Sequence, residues 1–248
     1  MNTFYEIIKL VKASNRTVIL TGAGISTESG LPDFRSNNGF WAKNKPIQFN
    51  EFLLSEEKQR LSWERNIELH SLLKNIKPNI GHAFVKKITD MHKNNFLITQ
   101  NIDGLHQQSG IPRNKIIEIH GNAIEAACLE CGAKQNIADF HDAIKTKKQL
   151  PGCTVCNGTV KVATISFGQP MNEEDMEKAS NIVEDSDLMI VMGSSLKVLP
   201  AGKLPNLAMQ SGSKLVILNR EKTPYDSIAD MVINDELQNI CSGLIQEL

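Results

Sequence analysis

This chain of 248 residues is short of long apolar runs, of surplus charge and of repetition, and each shortage excludes something. No apolar stretch approaches the roughly 20 residues of a membrane span, so no transmembrane helix and no membrane partner are expected. Neither charge sign is in surplus: 27 Lys and Arg stand against 28 Asp and Glu. A chain this balanced carries no general electrostatic footprint for nucleic acid, and no specific nucleic-acid partner is expected. There is no internal repeat and no low-complexity segment. The opening MNTFYEIIKLVKAS has the spacing of an amphipathic helix and lacks the apolar centre of a secretory signal, so the expected address is the cytoplasm.

What is present is 41% hydrophobic residue, enough to bury a sizeable core in one large domain or in one domain carrying a smaller insert. Short apolar runs alternate with helical patterns, which predicts an α/β fold on a mainly parallel sheet. The candidate strands are 17–21, 95–99, 115–118, 164–167, 187–193, 214–218 and 230–233. Helical spacing covers 3–12, 80–91, 173–184, 204–210 and 236–245. Two stretches break the alternation. Residues 37–77 hold no convincing strand and read as helices, and residues 122–161 carry paired cysteines around a Lys-rich middle. Both look like excursions that leave the sheet and return.

The stretch VILTGAGISTESGLPDFRS, residues 18–36, has part of a dinucleotide fingerprint and lacks the rest. Gly22 and Gly24 follow an apolar strand, where backbone can approach a pyrophosphate. The third glycine of the fingerprint falls at Thr27, and no strand ending in an acidic residue follows by about residue 40. Instead comes Leu31-Pro32-Asp33-Phe34-Arg35, and Pro32 stops any helix. A GAG turn by itself needs no ligand. Three more turns follow apolar runs: TQNIDGLH at 99–106, Gly193-Ser194-Ser195, and Asn219-Arg220. Each alone is an ordinary polar loop. Four in one α/β chain point to a shared crevice at the carboxyl edge of the sheet.

His120 ends another strand with Gly121 after it to admit a ligand, and His82 and His106 compete with it. A lone histidine is more often structural than catalytic. Of five cysteines, Cys128, Cys131, Cys153 and Cys156 form two CxxC pairs separated by 21 residues. Four thiolates at this spacing can close a tetrahedral zinc site, and with every position taken by protein that zinc would be structural. A thioredoxin-like redox role would need one pair rather than two. Cys241 reads as a small apolar residue on the last helix.

Taken together, GAGISTESGLPDFRS, TQNIDGLH, the HG dipeptide, the paired CxxC, SFG, GSSLKVLPA and LNR resemble, in this order, the sirtuin family of NAD-dependent protein-lysine deacylases, in its zinc-containing, bacterial type. The resemblance runs from residue 18 to about 235 and implies a Rossmann-like domain of residues 1–36, 78–121 and 162–248. It also implies a small domain made of a helical insertion, 37–77, and a zinc-ribbon insertion, 122–161. The reaction it implies transfers an acyl group from lysine to ADP-ribose, releasing nicotinamide and 2′-O-acyl-ADP-ribose.

By the same resemblance, Gly22, Ala23, Thr27, Asp33, Phe34, Arg35, Gln100, Gly193, Ser194, Ser195 and Asn219 would line an NAD site. Ile102 and Asp103 would hold the nicotinamide, Asn101 would position a water and the ribose, and His120 would be the general base. An acyl-lysine peptide would add as a strand between 165–168 and 196–199, with Ile165, Phe167, Gly168 and Val198 at the acyl-lysine tunnel. The protein would act as a monomer. Two departures matter. The family's FGE is Phe167-Gly168-Gln169 here, which removes one charge at the peptide entrance. The Tyr-x-x-Arg pair of the acid-preferring subgroup is missing, since the only tyrosines are Tyr5 and Tyr225 and the corresponding stretch begins Ser62-Trp63-Glu64-Arg65. An apolar acyl group is therefore expected. The competing readings are an ADP-ribosyltransferase or NAD glycohydrolase, a zinc-ribbon binding protein, and a dehydrogenase. The last is disfavoured by the incomplete fingerprint.

Overall fold

The computed structural model describes residues 3–32, 45–146 and 149–248. The expected roles of Asp33, Phe34 and Arg35, and residues 37–44 of the helical excursion, lie outside the described residues.

Among the described residues, nine strands form two sheets. β1 (Thr17–Thr21), β2 (Phe96–Thr99), β3 (Ile116–Glu118), β7 (Leu188–Met192), β8 (Lys214–Leu218) and β9 (Met231–Ile233) make one parallel sheet in the order β3-β2-β1-β7-β8-β9. Every residue of β1 and β7 is buried, as continuous apolar runs such as LMIVM require when helices cover both faces. Alternation splits β1 between the two layers. Ile19 joins one cluster with Ile7, Phe84, Ile88 and Ile240, from helices α1 (Thr3–Ala13), α4 (Ile80–Met91) and α9 (Leu237–Glu247). Val18 and Leu20 join the other with Ala179, Val183 and Ala208, from α7 (Glu173–Glu184) and α8 (Leu204–Gln210). The chain runs from β1 to β2 and β3 on one side and fills β7 to β9 on the other. The β1/β7 boundary is therefore the switch point, where a crevice opens at the carboxyl ends.

The second sheet is antiparallel, β5-β4-β6, built from β4 (Gly121–Cys128), β5 (Lys134–Asn136) and β6 (Val160–Thr164). Here the structure corrects the sequence reading. Residues 164–167 are not a strand of the main sheet; the strand is 160–164 and pairs with β4, whose register shifts between Gly121 and Ala126. Phe167 lies outside the named strands and forms an isolated bridge to Gln48. The misplacement has a physical cause, because β6 is selected by a partner more than thirty residues upstream rather than by its own pattern. The short helices α5 (Leu105–Gln108) and α6 (His141–Lys145) also escaped the periodicity.

The helical excursion supplies α2 (Phe49–Leu54) and α3 (Glu56–Leu73). Ser55 caps α3, its side chain accepting from the Lys58 N–H. One face of α3 completes the core of the small sheet, where Trp63 and Ile67 pack with Ala126, Ile137, Phe140, Val160 and Val162. Trp63 donates its indole N–H to the Val160 carbonyl at 3.1 Å and meets Phe140 edge-on at 5.2 Å. Trp63 is thus a core residue, not part of a ligand pocket.

Candidate active site

The turns after β1 and β7 meet at the switch point. Gly22 N–H donates to the Met192 carbonyl at 3.0 Å and Gly24 N–H to the Gly193 carbonyl at 2.9 Å. A Cβ on Gly22 would sit 2.7 Å from the Gly193 oxygen, and one on Gly24 would sit 2.8 Å from it. These glycines are required because the two turns pack on each other, whatever lies above them. Residues Ala23–Ser29 form a 3₁₀ turn rather than an α-helix, and Gly30, with φ of 93°, stops it. Thr27 occupies the third-glycine position and ties its hydroxyl back to the Gly24 carbonyl at 2.9 Å.

The loop after β2 forms the polar floor. Gln100 donates to Ser194 Oγ at 2.9 Å, joining it to the β7 turn. Asn101, 4% exposed, donates its side-chain amide to Ser26 Oγ at 3.2 Å, and Ser26 donates to Asp103 at 2.7 Å. Asp103 also accepts the Leu105 N–H at 2.9 Å. Burial raises the Asp103 pKa, while these two donors oppose the rise by favouring the carboxylate. Ser26, at the centre of this network, was not singled out from the sequence. Its place inside GAGIS was the available signal, but only the fold shows that its hydroxyl joins Asn101 to Asp103.

His120 follows β3, and its Nδ1 lies 3.0 Å from the Gln100 carbonyl. A carbonyl only accepts, so Nδ1 carries the proton and Nε2 is the basic atom of the neutral ring. Gly121 has another reason than ligand access. Its φ is 70°, and a Cβ there would fall 1.8 Å from the Ala163 oxygen, so it permits the close crossing of β4 and β6. His82 and His106, the competing histidines, are fully buried and do not line the cleft.

Every described residue singled out for cofactor or substrate lines one cleft of about 960 Å³. Gly22, Ala23 and Thr27 come from the β1 turn; Gln100, Asn101, Ile102 and Asp103 from the β2 loop; Gly193, Ser194 and Ser195 from the β7 turn; and Asn219 from the end of β8. His120 stands with Ile165, Phe167, Gly168 and Val198 in the same cleft. Asn219 holds its amide on the Glu221 carbonyl at 2.6 Å. The helical insert adds Ser62, Arg65, Asn66 and Leu69 to the wall, and Arg65 donates to the Lys45 carbonyl at 2.9 Å.

At the small sheet, Cys128, Cys131, Cys153 and Cys156 bring their sulfurs within 4.8 Å of one another. The Cys128–Cys156 and Cys131–Cys153 separations are 3.5 and 3.7 Å. A tetrahedral zinc with Zn–S near 2.3 Å places sulfurs about 3.8 Å apart, so the donor set fits the metal. Backbone N–H groups of Cys131 and Val155 point at Cys128 and Cys153 sulfurs, the knuckle that each CxxC pair forms. Cys241 is buried in the main core, where burial pushes its thiol pKa up to about 12.

Amide, carboxylate and imidazole groups gathered at the switch point of a doubly wound sheet define the class, a nucleotide-dependent α/β enzyme. The Sir2 family model matches residues 22–200. The NAD-dependent protein deacetylase of Rhodopseudomonas palustris is 40% identical over 92% of this chain and 90% of its own. The NAD-dependent protein deacetylase 1 of Bradyrhizobium diazoefficiens is 43% identical over 91% and 89%. A Sir2 solved with a p53 peptide and NAD+ superposes with a TM-score of 0.85 at 34% identity, covering 98% of this chain and 97% of that one. A Sir2 bound to acetylated peptide gives 0.84 at 34% identity, with the same coverage. The chain belongs to the Sir2 family. No helix among the described residues is long and apolar enough to cross a membrane.

Proposed function

We propose that this chain is a cytoplasmic, monomeric NAD-dependent protein-lysine deacylase that moves an acyl group from lysine to ADP-ribose, releasing nicotinamide and 2′-O-acyl-ADP-ribose. One observation carries the reading. The Gln100 carbonyl holds His120 in the tautomer whose Nε2 is basic, in the cleft that Asn101, Asp103 and the 165–168 segment also line. Bound NAD supplies the nicotinamide–ribose bond that breaks and the ADP-ribose that receives the acyl group.

The chain's own residues orient, exclude water and move a proton. Ala23, Thr27, Gln100, Ser194, Ser195 and Asn219 cradle the nucleotide, and the side chains of Thr27, Gln100, Ser194 and Asn219 are already tied to neighbours, so little of their freedom is lost on binding. The Asp103 carboxylate, oriented by Ser26 and Leu105, accepts from the nicotinamide carboxamide, with Ile102 packed beside it. Asn101, held by Ser26, positions a water and the ribose. His120 Nε2 takes a proton from a ribose hydroxyl, and Nδ1 passes the resulting positive charge towards the Gln100 carbonyl dipole.

The peptide adds its backbone between 165–168 and 196–199, and the small domain of residues 37–77 and 122–161 closes over it. An apolar acyl group suits a wall that carries Phe52, Leu69 and Leu73 and has no tyrosine. The test is incubation with NAD, with and without an acetyl-lysine peptide, beside His120→Ala, followed by mass spectrometry. Nicotinamide, free lysine peptide and acetyl-ADP-ribose should appear only with peptide, and turnover should fall by about 10²-fold or more in the variant. Nicotinamide released at the same rate without peptide would instead make the chain an ADP-ribosyltransferase or NAD glycohydrolase.

A further inference from the structure

Behind the floor of the cleft lie two histidines that the reaction above does not use. His82, in the first turn of α4, and His106, in α5, are 0% and 1% exposed, with ring centroids 4.9 Å apart. Each has one bonded nitrogen. The other nitrogens, His82 Nε2 and His106 Nδ1, have no partner among the described residues. A buried polar atom left unpaired costs about 1–3 kcal/mol, so two on adjacent rings ask for an explanation.

The bonded nitrogens locate the open side of each ring. Asn79 caps α4 and donates its side-chain amide to the Ile25 carbonyl at 2.7 Å and to Ser29 Oγ at 3.0 Å, which fixes Oδ1 as the acceptor for Gly81 N–H. His82 Nδ1 faces both the Asn79 backbone N–H at 3.3 Å, the second half of the capping box, and Asn79 Oδ1 at 3.0 Å. One is a donor and the other an acceptor, so either neutral tautomer of His82 has a partner at Nδ1 and leaves Nε2 to be satisfied. At the other end, Thr21 donates its hydroxyl to Thr99 Oγ1 at 2.9 Å, and that oxygen also accepts the Asn101 N–H at 3.0 Å. Thr21 Oγ1 is left to accept from His106 Nε2 at 2.9 Å, so His106 keeps a lone pair on Nδ1. Of the two unpaired atoms, His106 Nδ1 is an acceptor, and a water molecule pairs with His82 Nε2 in either tautomer, accepting from it or donating to it. Burial holds both rings neutral, lowering His82 to about 4 and His106 well below its ordinary value.

We propose that one buried water joins His82 Nε2 to His106 Nδ1, and that His106 is a positioning residue for Asn101, acting through Thr21 and Thr99. The proposal rests on the role given to Asn101 above. The relay runs from the cap of α4, which also grips the 23–29 turn, through two neutral imidazoles to the backbone of the cleft floor. Buried waters typically make about three hydrogen bonds, and the two nitrogens supply two of them. The relay gives one reason for two otherwise bland buried histidines: they couple the β1 turn and the Asn101 loop without placing a charge behind the reacting ribose.

Long-range ¹H–¹⁵N correlation on histidine-labelled wild-type protein should find both rings neutral, with the His106 proton on Nε2, between pH 6 and 8. A crystal structure at high resolution should show a water between them. A proton on Nδ1 of His106, or an apolar contact without water, overturns the relay. In the same preparation, His106→Phe should lower kcat about tenfold with KM for NAD and peptide held within about twofold, and should speed hydrogen exchange at the Asn101 amide about tenfold. His106→Gln keeps a donor for Thr21 and should recover kcat and exchange to within about threefold of wild type. Equal losses in both variants would reduce His106 to a packing residue and sink the proposal. The tautomers are read on wild type, so a variant that fails to fold leaves the test standing. A wild type without deacylase turnover would refute the proposed function, and the tautomers and the water would still decide whether the relay exists.

Discussion

The two sheets face the same task, burying apolar surface, with unequal means. The six-stranded sheet has helices on both faces and two aliphatic clusters, with Ile, Val and Leu from α1, α4, α7, α8 and α9 closing it. The three-stranded sheet has one small cluster, and two of its members, Trp63 and Ile67, are borrowed from a helix that precedes it by more than forty residues. Two others, Cys128 and Cys153, belong to the four-cysteine set that could hold a zinc ion. Small units rarely reach useful stability on apolar burial alone and take metals or cross-links instead. The difference teaches that the cleft has one wall backed by two large aliphatic clusters and one backed by a small cluster, a loaned tryptophan and a four-cysteine set that fits zinc.

The sharpest way to break this comparison is to remove the metal. In a Trp41→Phe background, chelation or Cys128→Ser with Cys153→Ser should red-shift Trp63 emission and abolish deacylation, while circular dichroism of the parallel sheet persists. Structural zinc binding is worth about 10–16 kcal/mol in small zinc peptides, far more than this lobe can replace. Full activity in protein shown metal-free by atomic absorption would refute the dependence. Next in size, Trp63→Ala should destabilise the small lobe by about 3–5 kcal/mol, since it empties a fully buried aromatic site and leaves the Val160 carbonyl unpaired. Urea unfolding would show the lobe melting first, by thiol accessibility, ahead of the sheet. Coincident transitions would mean that the two regions are one cooperative unit.

Acid should act on both regions, more strongly on the large one. His82 and His106 there, and His70 and His141 in the small lobe, all have pKa values lowered chiefly by burial. The last two share a 2.9 Å nitrogen contact and feel the cations of Lys74 and Lys145. A histidine whose folded pKa lies below the unfolded value leaves the unfolded chain binding more protons between the two values. Stability is then complete above the unfolded value, falls as pH drops, and levels off below the folded one. For His82 the window runs from 6.5 to about 4. That corresponds to on the order of 3 kcal/mol. Urea midpoints from pH 7 to 4.5 should fall accordingly, and His82→Phe should flatten the slope; an unchanged slope would contradict the burial account.

The smallest effect concerns Gln169, whose Oε1 accepts the Ser166 N–H at 3.1 Å while its own N–H returns to the Ser166 carbonyl at 3.0 Å. A glutamate oxygen can accept in the same way. Gln169→Glu should therefore keep the turn and the melting temperature, and should shift preference about two- to fivefold towards peptides with Lys or Arg beside the acyl-lysine, as one added surface charge would. A screen of peptides with varied flanking charge would show this, and no shift would detach residue 169 from peptide recognition.

Much of this was legible in the chain. The apolar runs of β1, β7 and β8 lie where continuous hydrophobicity puts them, because both faces of a parallel sheet are buried. The strand at 160–164 was misplaced by four residues because β4 and a register shift select it. Gly22, Gly24 and Gly121 were recognisable as special positions, and the fold adds a reason of its own, the close approach of one backbone to another.

The residues alone determined the α/β class, the four thiolates, and the short list of turns that meet at the switch point, since these depend on local composition and spacing. The tertiary structure decided which of three histidines stands in the cleft, that Ser26 links Asn101 to Asp103, and that Trp63 belongs to the small lobe. Those choices depend on burial and on contacts between segments far apart in the chain. Hydrogen-bond polarity and desolvation arise only once the segments have met.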